Sequence, residues 1–178
     1  PSAQITGTDR NRSAVKLANR AFSKQLRLKA EVATGTKLDF NDNSVDLVLS
    51  VGAPTYFGLT KYVKEAARIV TPGGTIAFSA GYRQGDHLQI EAEIQAAAIN
   101  SGLDFVCYKN ITPNTFASLQ ADIPRREKLL KRVPWPFRLY GNKWADLPGS
   151  AEYDEYETGK RADFAVVLKA PYPSAGRF

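Results

Sequence analysis

The sequence predicts an α/β fold built on a doubly wound, mostly parallel sheet, and two stretches near its middle carry most of that prediction. Residues 43–50 and residues 65–78 each place a polar turn before an apolar run, and a helical stretch lies between the two runs. This order is typical of a strand, a crossover helix and a second, parallel strand. An apolar run bounded by polar turns is expected for a strand that helices cover on both faces.

The other elements follow from hydrophobic periodicity along the chain. Besides the strand at residues 45–50, we expect strands at 4–8, 27–33, 75–80, 103–108 and 162–170, and helices at 12–23, 62–70 and 88–99. Pro72 should end the second helix, and Gly102 suits a left-handed cap after the third. Strands that alternate with helices favour a doubly wound sheet, and the 178 residues are expected to form a single domain.

A long connection precedes the last strand, and it is rich in aromatic residues. Residues 112–159 are expected to form a helical insertion, which is far longer than an ordinary connection. Two interpretations stay open: the rings enclose a substrate as a lid, or they cover the back of the sheet or a subunit interface. Under the first interpretation the substrate-contacting candidates are Trp135, Tyr140 and Trp144 from the insertion, with Tyr56 and Tyr82 from the rim of the sheet.

The composition excludes some classes of protein. No apolar run approaches the length of a membrane span, and we expect a soluble protein of the cytoplasm or an organelle matrix. A single cysteine and a single histidine argue against a zinc site of Cys and His ligands, so no metal is expected. The net charge is +6, and basic residues cluster within residues 125–132. No recognition motif accompanies them, so we interpret them as a solvated helix face and do not expect a nucleic-acid partner.

Two details of the central stretches go beyond packing. The acidic residue Asp46 opens one strand, and the turn Pro72-Gly73-Gly74 opens the next. Together they resemble the fourth and fifth strands of the class I S-adenosylmethionine-dependent methyltransferases, in the small-molecule branch called type 11. The resemblance extends over residues 4–110. It implies a seven-stranded type of sheet, S-adenosylmethionine as cofactor, and methyl transfer to a small, lipophilic or aromatic acceptor, with a protein partner or a homo-oligomer as further options.

The resemblance also assigns cofactor-binding residues. It places Asp9 on the cofactor ribose, Thr34 and Gly35 beside the adenine, and Ser50 and Gly52 after the fourth strand. A carboxylate at a strand's carboxyl end can bind two adjacent hydroxyls, although Asp9 could equally cap the following helix. Thr34 stands where the family commonly has aspartate, and its hydroxyl is a weaker hydrogen-bond acceptor.

One part of the family pattern is absent from the sequence. The first strand and its glycine-rich loop have no counterpart here, and we expect the fold to be incomplete at its amino-terminal end. Two other functions stay open besides methyl transfer to a small acceptor. One is a non-catalytic, methyltransferase-like scaffold or assembly subunit, and the other is a nucleic-acid or protein methyltransferase. For catalysis, His87 is the candidate general base because its titration range suits that role, and the alternative is a bystander on the surface.

Overall fold

The computed structural model describes residues 3–134, 136–137, 141 and 145–173. Within them, the strands are β1 (Ile5–Asp9), β2 (Leu28–Val32), β3 (Val45–Val51), β4 (Val70–Tyr82), β5 (Asp104–Asn110) and β6 (Ala162–Lys169). The helices are α1 (Arg12–Ala21), α2 (Pro54–Phe57), α3 (Leu59–Ile69), α4 (His87–Asn100), α5 (Thr112–Leu130) and α6 (Ala151–Glu157).

The strands form two groups. Strands β1 and β2 pair in parallel, and a second sheet has the order β3-β4-β6-β5. Strands β3 and β4 are parallel, whereas β6 runs antiparallel to both of its neighbours, β4 and β5. Among the described residues, β1 and β3 each pair on one side only, and no strand lies between them. The alternation of strands and helices confirms the predicted α/β architecture.

The hydrophobic core lies between the four-stranded sheet and two helices, α3 and α4. Alternate residues of a strand point to the same face, and the central strands β4 and β6 contribute every second side chain to this core. Phe164 of β6 is fully buried, and so are Ile76 of β4 and Ile94 of α4. The core cluster also includes Leu59, Val63, Ala66, Phe78, Ile90, Val166 and Leu168.

Strand β3 differs from the prediction, because one of its faces is open. The continuous apolar run predicted helices on both faces. Val48 packs against the core, but Leu47, Leu49 and Val51 alternate to the opposite face and are 56%, 68% and 76% exposed. The prediction of a strand buried on both faces is therefore wrong for β3 among the described residues.

Two local features were not predicted. The turn at residues 71–74 lies inside β4 as a bulge, because Val45 pairs with Val70 while Leu47 already pairs with Thr75. Gly73 has a φ of 78°, in the left-handed region that glycine tolerates, and this lets the chain loop out between the two pairs. The four-residue helix α2, which begins at Pro54, is too short to leave a periodic signal.

The segment before β6 is helical in its described part, as predicted. It contains α5, with Pro124 inside the helix, and the shorter α6. The predicted cap at Gly102 is also confirmed, with a φ of 69°. Among the described residues, no helix combines the length and the apolar character that crossing a bilayer requires.

Candidate functional site

A crevice of about 570 Å³ lies between β1 and β3. Consecutive residues of both strands line it, Thr6 to Asp9 on β1 and Val48 to Val51 on β3. Successive side chains of a strand point to opposite faces, so a cavity lined by consecutive residues lies along the edges of the strands. The crevice reaches the carboxyl ends of β1 and β3, and doubly wound folds bind ligands beyond such ends.

Asp9 ends β1 and lines the crevice. Its Oδ1 accepts a hydrogen bond of 2.7 Å from the backbone N–H of Asn11. The cap of α1 is Asn11 itself, whose side chain accepts from the N–H groups of Ser13 and Ala14. Asp9 therefore shapes the turn with one oxygen, but it is not the residue that caps the helix.

The bend after β2 forms another wall of the crevice, and Gly35 lines it directly. A Cβ atom on Gly35 would lie 2.6 Å from the ring of Phe57, so this position requires glycine for close packing. Thr34 instead lines a neighbouring cavity of about 390 Å³, which shares Arg10, Ala33 and Leu38 with the crevice. The structure thus brings Gly35 to the crevice and places Thr34 just beyond it.

A charged cluster on α3 holds this bend in place. Arg68 donates to the carbonyls of Leu38 at 3.0 Å and Phe40 at 2.8 Å, and to the carboxylate of Asp42 at 2.7 Å. Glu65 accepts from the Leu38 N–H at 2.7 Å and from Arg68 at 2.8 and 3.0 Å. Hydrogen bonding to Arg68 is the main cause that lowers the pKa of Glu65. Charge-assisted bonds to a helix therefore fix the bend, in addition to its own turn, in which the Lys37 N–H donates to the Thr34 carbonyl at 3.0 Å.

The segment after β3 supplies the third wall. Ser50 lines the crevice, and so does Tyr56 of α2, whose side chain is 84% exposed at the open side. Gly52 does not line it; its N–H bonds to the Ser79 carbonyl, and its φ of 73° serves the turn. The turn interpretation of Gly52 therefore accounts for its position.

Tyr62 of α3 also lines the crevice and was not predicted from the sequence. It is 3% exposed, and its ring meets the edge of Phe78 at 5.3 Å between centroids. Its hydroxyl is the one buried side-chain polar atom in the described part of the chain that has no hydrogen-bond partner. In the sequence this tyrosine looks like any apolar position of an amphipathic helix.

Two further predicted residues, His87 and Tyr82, lie elsewhere. The ring of His87 bonds Tyr108 through Nδ1 at 2.6 Å and Thr112 through Nε2 at 3.2 Å, and His87 is not among the residues that line the crevice. Tyr82 stacks on Phe164 in the core and does not line the crevice either. The structure therefore does not bring His87 or Tyr82 together with Asp9.

The aromatic residues before β6 are only partly described. Trp135, Tyr140 and Trp144 lie outside the described residues. Phe116 stacks on Tyr156 at 5.4 Å, and the Tyr156 hydroxyl donates to the buried Asp163 carboxylate at 2.6 Å. Burial and this carboxylate raise the pKa of Tyr156 above its ordinary value. No described residue of 112–159 lines the crevice.

The basic residues of α5 are engaged within the protein. Arg125 and Arg126 both bind the carboxylate of Asp122, and Arg126 also reaches Asp146 and the Ala145 carbonyl. They line a cavity of about 860 Å³ on α5, larger than the crevice. Its charged side chains already form ion pairs within the protein, whereas the smaller crevice holds an unpaired buried hydroxyl, so the crevice is the stronger candidate site.

Some residues of the crevice were missed because their role depends on distant contacts. Arg10, Phe57 and Tyr62 join the lining, and Glu65 and Arg68 hold it from behind. Arg10 lies two residues after the predicted strand end, next to Asp9, which is the one signal that could have indicated it. Among the described residues, no group of three His, Cys, Asp or Glu side chains is arranged to hold a metal ion.

Comparisons with known proteins bear on the family and the fold of the chain. A family model described as a methyltransferase domain matches residues 1–78. Among curated proteins, none matches the chain significantly.

Solved structures match nearly the whole chain. One is a putative sarcosine dimethylglycine methyltransferase from Galdieria sulphuraria, which is 13% identical with a TM-score of 0.75 over 94% of this chain and 70% of that one. A second is the 4+2 cyclase SpnF, which is 16% identical with a TM-score of 0.72 over 96% and 68% of the two chains.

A third is geranyl diphosphate C-methyltransferase from Streptomyces coelicolor, in complex with Mg²⁺, geranyl diphosphate and S-adenosyl-L-homocysteine. It is 15% identical with a TM-score of 0.70 over 94% of this chain and 64% of that one. At such identities the likeness establishes the fold, and the family match is independent of it. The chain therefore has the class I methyltransferase fold, and its residues 1–78 match the methyltransferase domain family.

Proposed function

We propose that this chain binds S-adenosylmethionine in the crevice between β1 and β3 and transfers its methyl group to a small acceptor. One observation carries the proposal. Three segments that are separate in the sequence, represented by Asp9, Gly35 and Ser50, line a single crevice at the carboxyl ends of two strands. This is the position that a ligand takes in a doubly wound fold.

The residues of the crevice suit a nucleoside-containing cofactor. Its volume of about 570 Å³ lies within the range of small-molecule sites. Asp9 uses Oδ1 for its own turn, and its carboxylate has further acceptor positions for ribose hydroxyls. Gly35 lets the bend pack closely against Phe57 in the lining, and the unpaired hydroxyl of Tyr62 is a polar atom that a ligand could satisfy.

When bound, the cofactor would supply a methyl group on a positively charged sulfur, which makes alignment and exclusion of water more important than strong acid–base chemistry. The chain's own residues would provide that alignment. Asp9 and Ser50 would fix the ligand from the carboxyl ends of β1 and β3, and the bend held by Arg68 would keep one wall rigid.

The proposed methyl acceptor is a small, lipophilic or aromatic molecule. The support is the exposed ring of Tyr56 at the open side of the crevice, which offers a flat apolar surface beside the site. The solved geranyl diphosphate methyltransferase holds a lipophilic ligand in the same fold. Fold likeness by itself does not choose an acceptor.

Calorimetry with S-adenosylhomocysteine, the stable product of transfer, tests the proposal. We expect the wild-type chain to bind and Asp9→Asn to bind roughly ten- to a hundredfold more weakly, because hydrogen bonds to a charged carboxylate contribute about 1.5–3 kcal/mol. Asparagine keeps an acceptor for the Asn11 N–H, so the turn should persist. Asp104→Asn, an exposed carboxylate on β5, is the matched control and should bind normally. Equal affinity of Asp9→Asn and wild type would refute the ribose assignment.

The scaffold alternative is tested by the same measurement. The cyclase SpnF has a similar fold and a name that describes a different reaction, so the fold is compatible with other roles. A scaffold that has lost cofactor binding would give no heat with S-adenosylhomocysteine at any concentration. For a nucleic-acid substrate the structure gives less support, because Arg125 and Arg126 bind Asp122 within the protein.

A further inference from the structure

The buried hydroxyl of Tyr62 differs from the other buried polar groups of the described residues because it has no hydrogen-bond partner. Buried polar groups in folded proteins nearly always have a hydrogen-bond partner. In the described part of this chain, Tyr62 Oη is the one buried side-chain atom without a partner. Phenylalanine would fill almost the same volume without leaving a polar atom unsatisfied, so packing does not explain the tyrosine.

The position of Tyr62 indicates what the hydroxyl could serve. Tyr62 and Ser50 both line the crevice, Tyr62 from α3 and Ser50 from the carboxyl end of β3. Burial raises the pKa of Tyr62 to about 12, and hydrogen bonding with the Ser50 side chain lowers it to a smaller extent. The phenol therefore keeps its proton near neutral pH and can only be satisfied as a hydroxyl.

The Ser50 side chain lies close enough to act on the Tyr62 phenol as a hydrogen-bond partner, but the two hydroxyls do not meet the strict geometry of a hydrogen bond. A serine hydroxyl rotates freely and can accept one hydrogen bond while it donates another. Ser50 is half-buried, so it can face the ligand while Tyr62 remains behind it.

We propose that Tyr62 is a positioning residue that donates to Ser50 Oγ when a ligand is bound, so that Ser50 donates to an acceptor oxygen or nitrogen of that ligand. This inference rests on the proposed function, because the ligand is the one that occupies the crevice. It makes the unpaired hydroxyl a feature of the ligand-free site that binding completes.

The test combines stability with affinity for S-adenosylhomocysteine in Tyr62→Phe, Ser50→Ala and the double variant. Tyr62→Phe should unfold at the same temperature as wild type or higher, because it removes an unsatisfied atom, and should bind about fivefold more weakly. Ser50→Ala should bind about tenfold more weakly. The double variant should be no weaker than Ser50→Ala, because Tyr62 acts through Ser50.

Tyr108→Phe is the matched control, and it should show the opposite pattern. Its hydroxyl already bonds His87 Nδ1 at 2.6 Å, and Tyr108 does not line the crevice. Loss of this hydroxyl in Tyr108→Phe should lower the unfolding temperature and leave the affinity for S-adenosylhomocysteine unchanged.

Three results would overturn the inference. The first is a clear fall in the unfolding temperature of ligand-free Tyr62→Phe, since this would reveal a structural bond to water. The second is wild-type affinity in Tyr62→Phe, and the third is an additive loss in the double variant. A wild-type chain that does not bind would overturn the proposed function together with this inference, whereas binding that the variants leave unchanged would overturn this inference alone.

Discussion

Replacing Glu65 by glutamine is the most direct perturbation of the wall of the crevice. The Glu65 carboxylate accepts three hydrogen bonds, one from the Leu38 N–H at 2.7 Å and two from Arg68 at 2.8 and 3.0 Å. Glutamine has the same shape but one acceptor oxygen, and its NH₂ group would face a donor. Glu65→Gln should therefore loosen the bend at Leu38 without creating a cavity.

The magnitude follows from the bonds that are lost. A hydrogen bond to a charged group contributes about 1.5–3 kcal/mol, compared with about 0.5–1.5 kcal/mol for a neutral one. The Arg68 side chain is 33% exposed, so solvent screens part of the attraction. We expect the free energy of unfolding to fall by about 1 kcal/mol. For a chain of this length that corresponds to roughly 2–4 °C in the unfolding temperature.

The same substitution should change the response to acid. The pKa of Glu65 is lowered in the folded protein from its ordinary value of 4.5, first by the bond to Arg68. Its stabilisation is therefore fully present above that ordinary value and is lost as the pH falls through the folded-state pKa. The difference in unfolding free energy between wild type and Glu65→Gln should be constant near neutral pH and shrink below about pH 4.5.

Urea denaturation at a series of pH values measures both effects, and calorimetry with S-adenosylhomocysteine measures the consequence for the site. Glu127→Gln, an exposed carboxylate on α5, is the matched control. We expect Glu65→Gln to bind several-fold more weakly than this control, because Leu38 lines the crevice. If the two variants share the same stability, acid response and affinity, the idea that Glu65 and Arg68 hold the bend fails.

Two further predictions concern packing. Phe164→Ala removes a fully buried ring from the core and should lower the free energy of unfolding by about 3–5 kcal/mol in urea denaturation; a loss below about 1 kcal/mol would contradict the assigned core. Gly35→Ala places a Cβ 2.6 Å from the ring of Phe57 and should weaken S-adenosylhomocysteine binding by displacing that ring, which lines the crevice. Wild-type affinity in Gly35→Ala would show that the bend accommodates a methyl group.

The strands and long helices could be predicted because their signals are local. Each predicted strand and helix has a counterpart, usually within a few residues at each end, since periodicity reports the face that each element buries. β4 was predicted too short because its bulge at residues 71–74 resembles a turn in the sequence. The open face of β3 could not be predicted, because an apolar run does not record which neighbours are present to cover it.

The candidate site could be predicted only where it sits at the end of an element. Asp9, Gly35 and Ser50 follow or end predicted strands, and the structure brings them to one crevice. His87 also follows a predicted strand, yet it turns to Tyr108 and Thr112. The end of a strand places a residue at the rim of a sheet but does not set the direction of its side chain.

The sequence by itself determined the order of strands and helices and the placement of an acidic residue at the end of β1, since both depend on residues close together along the chain. Only the tertiary structure decided that Arg68 binds the backbone of Leu38, thirty residues away, and that Tyr62 comes to lie beside Ser50. Such contacts depend on how helices pack against strands in three dimensions, and local periodicity does not encode that packing.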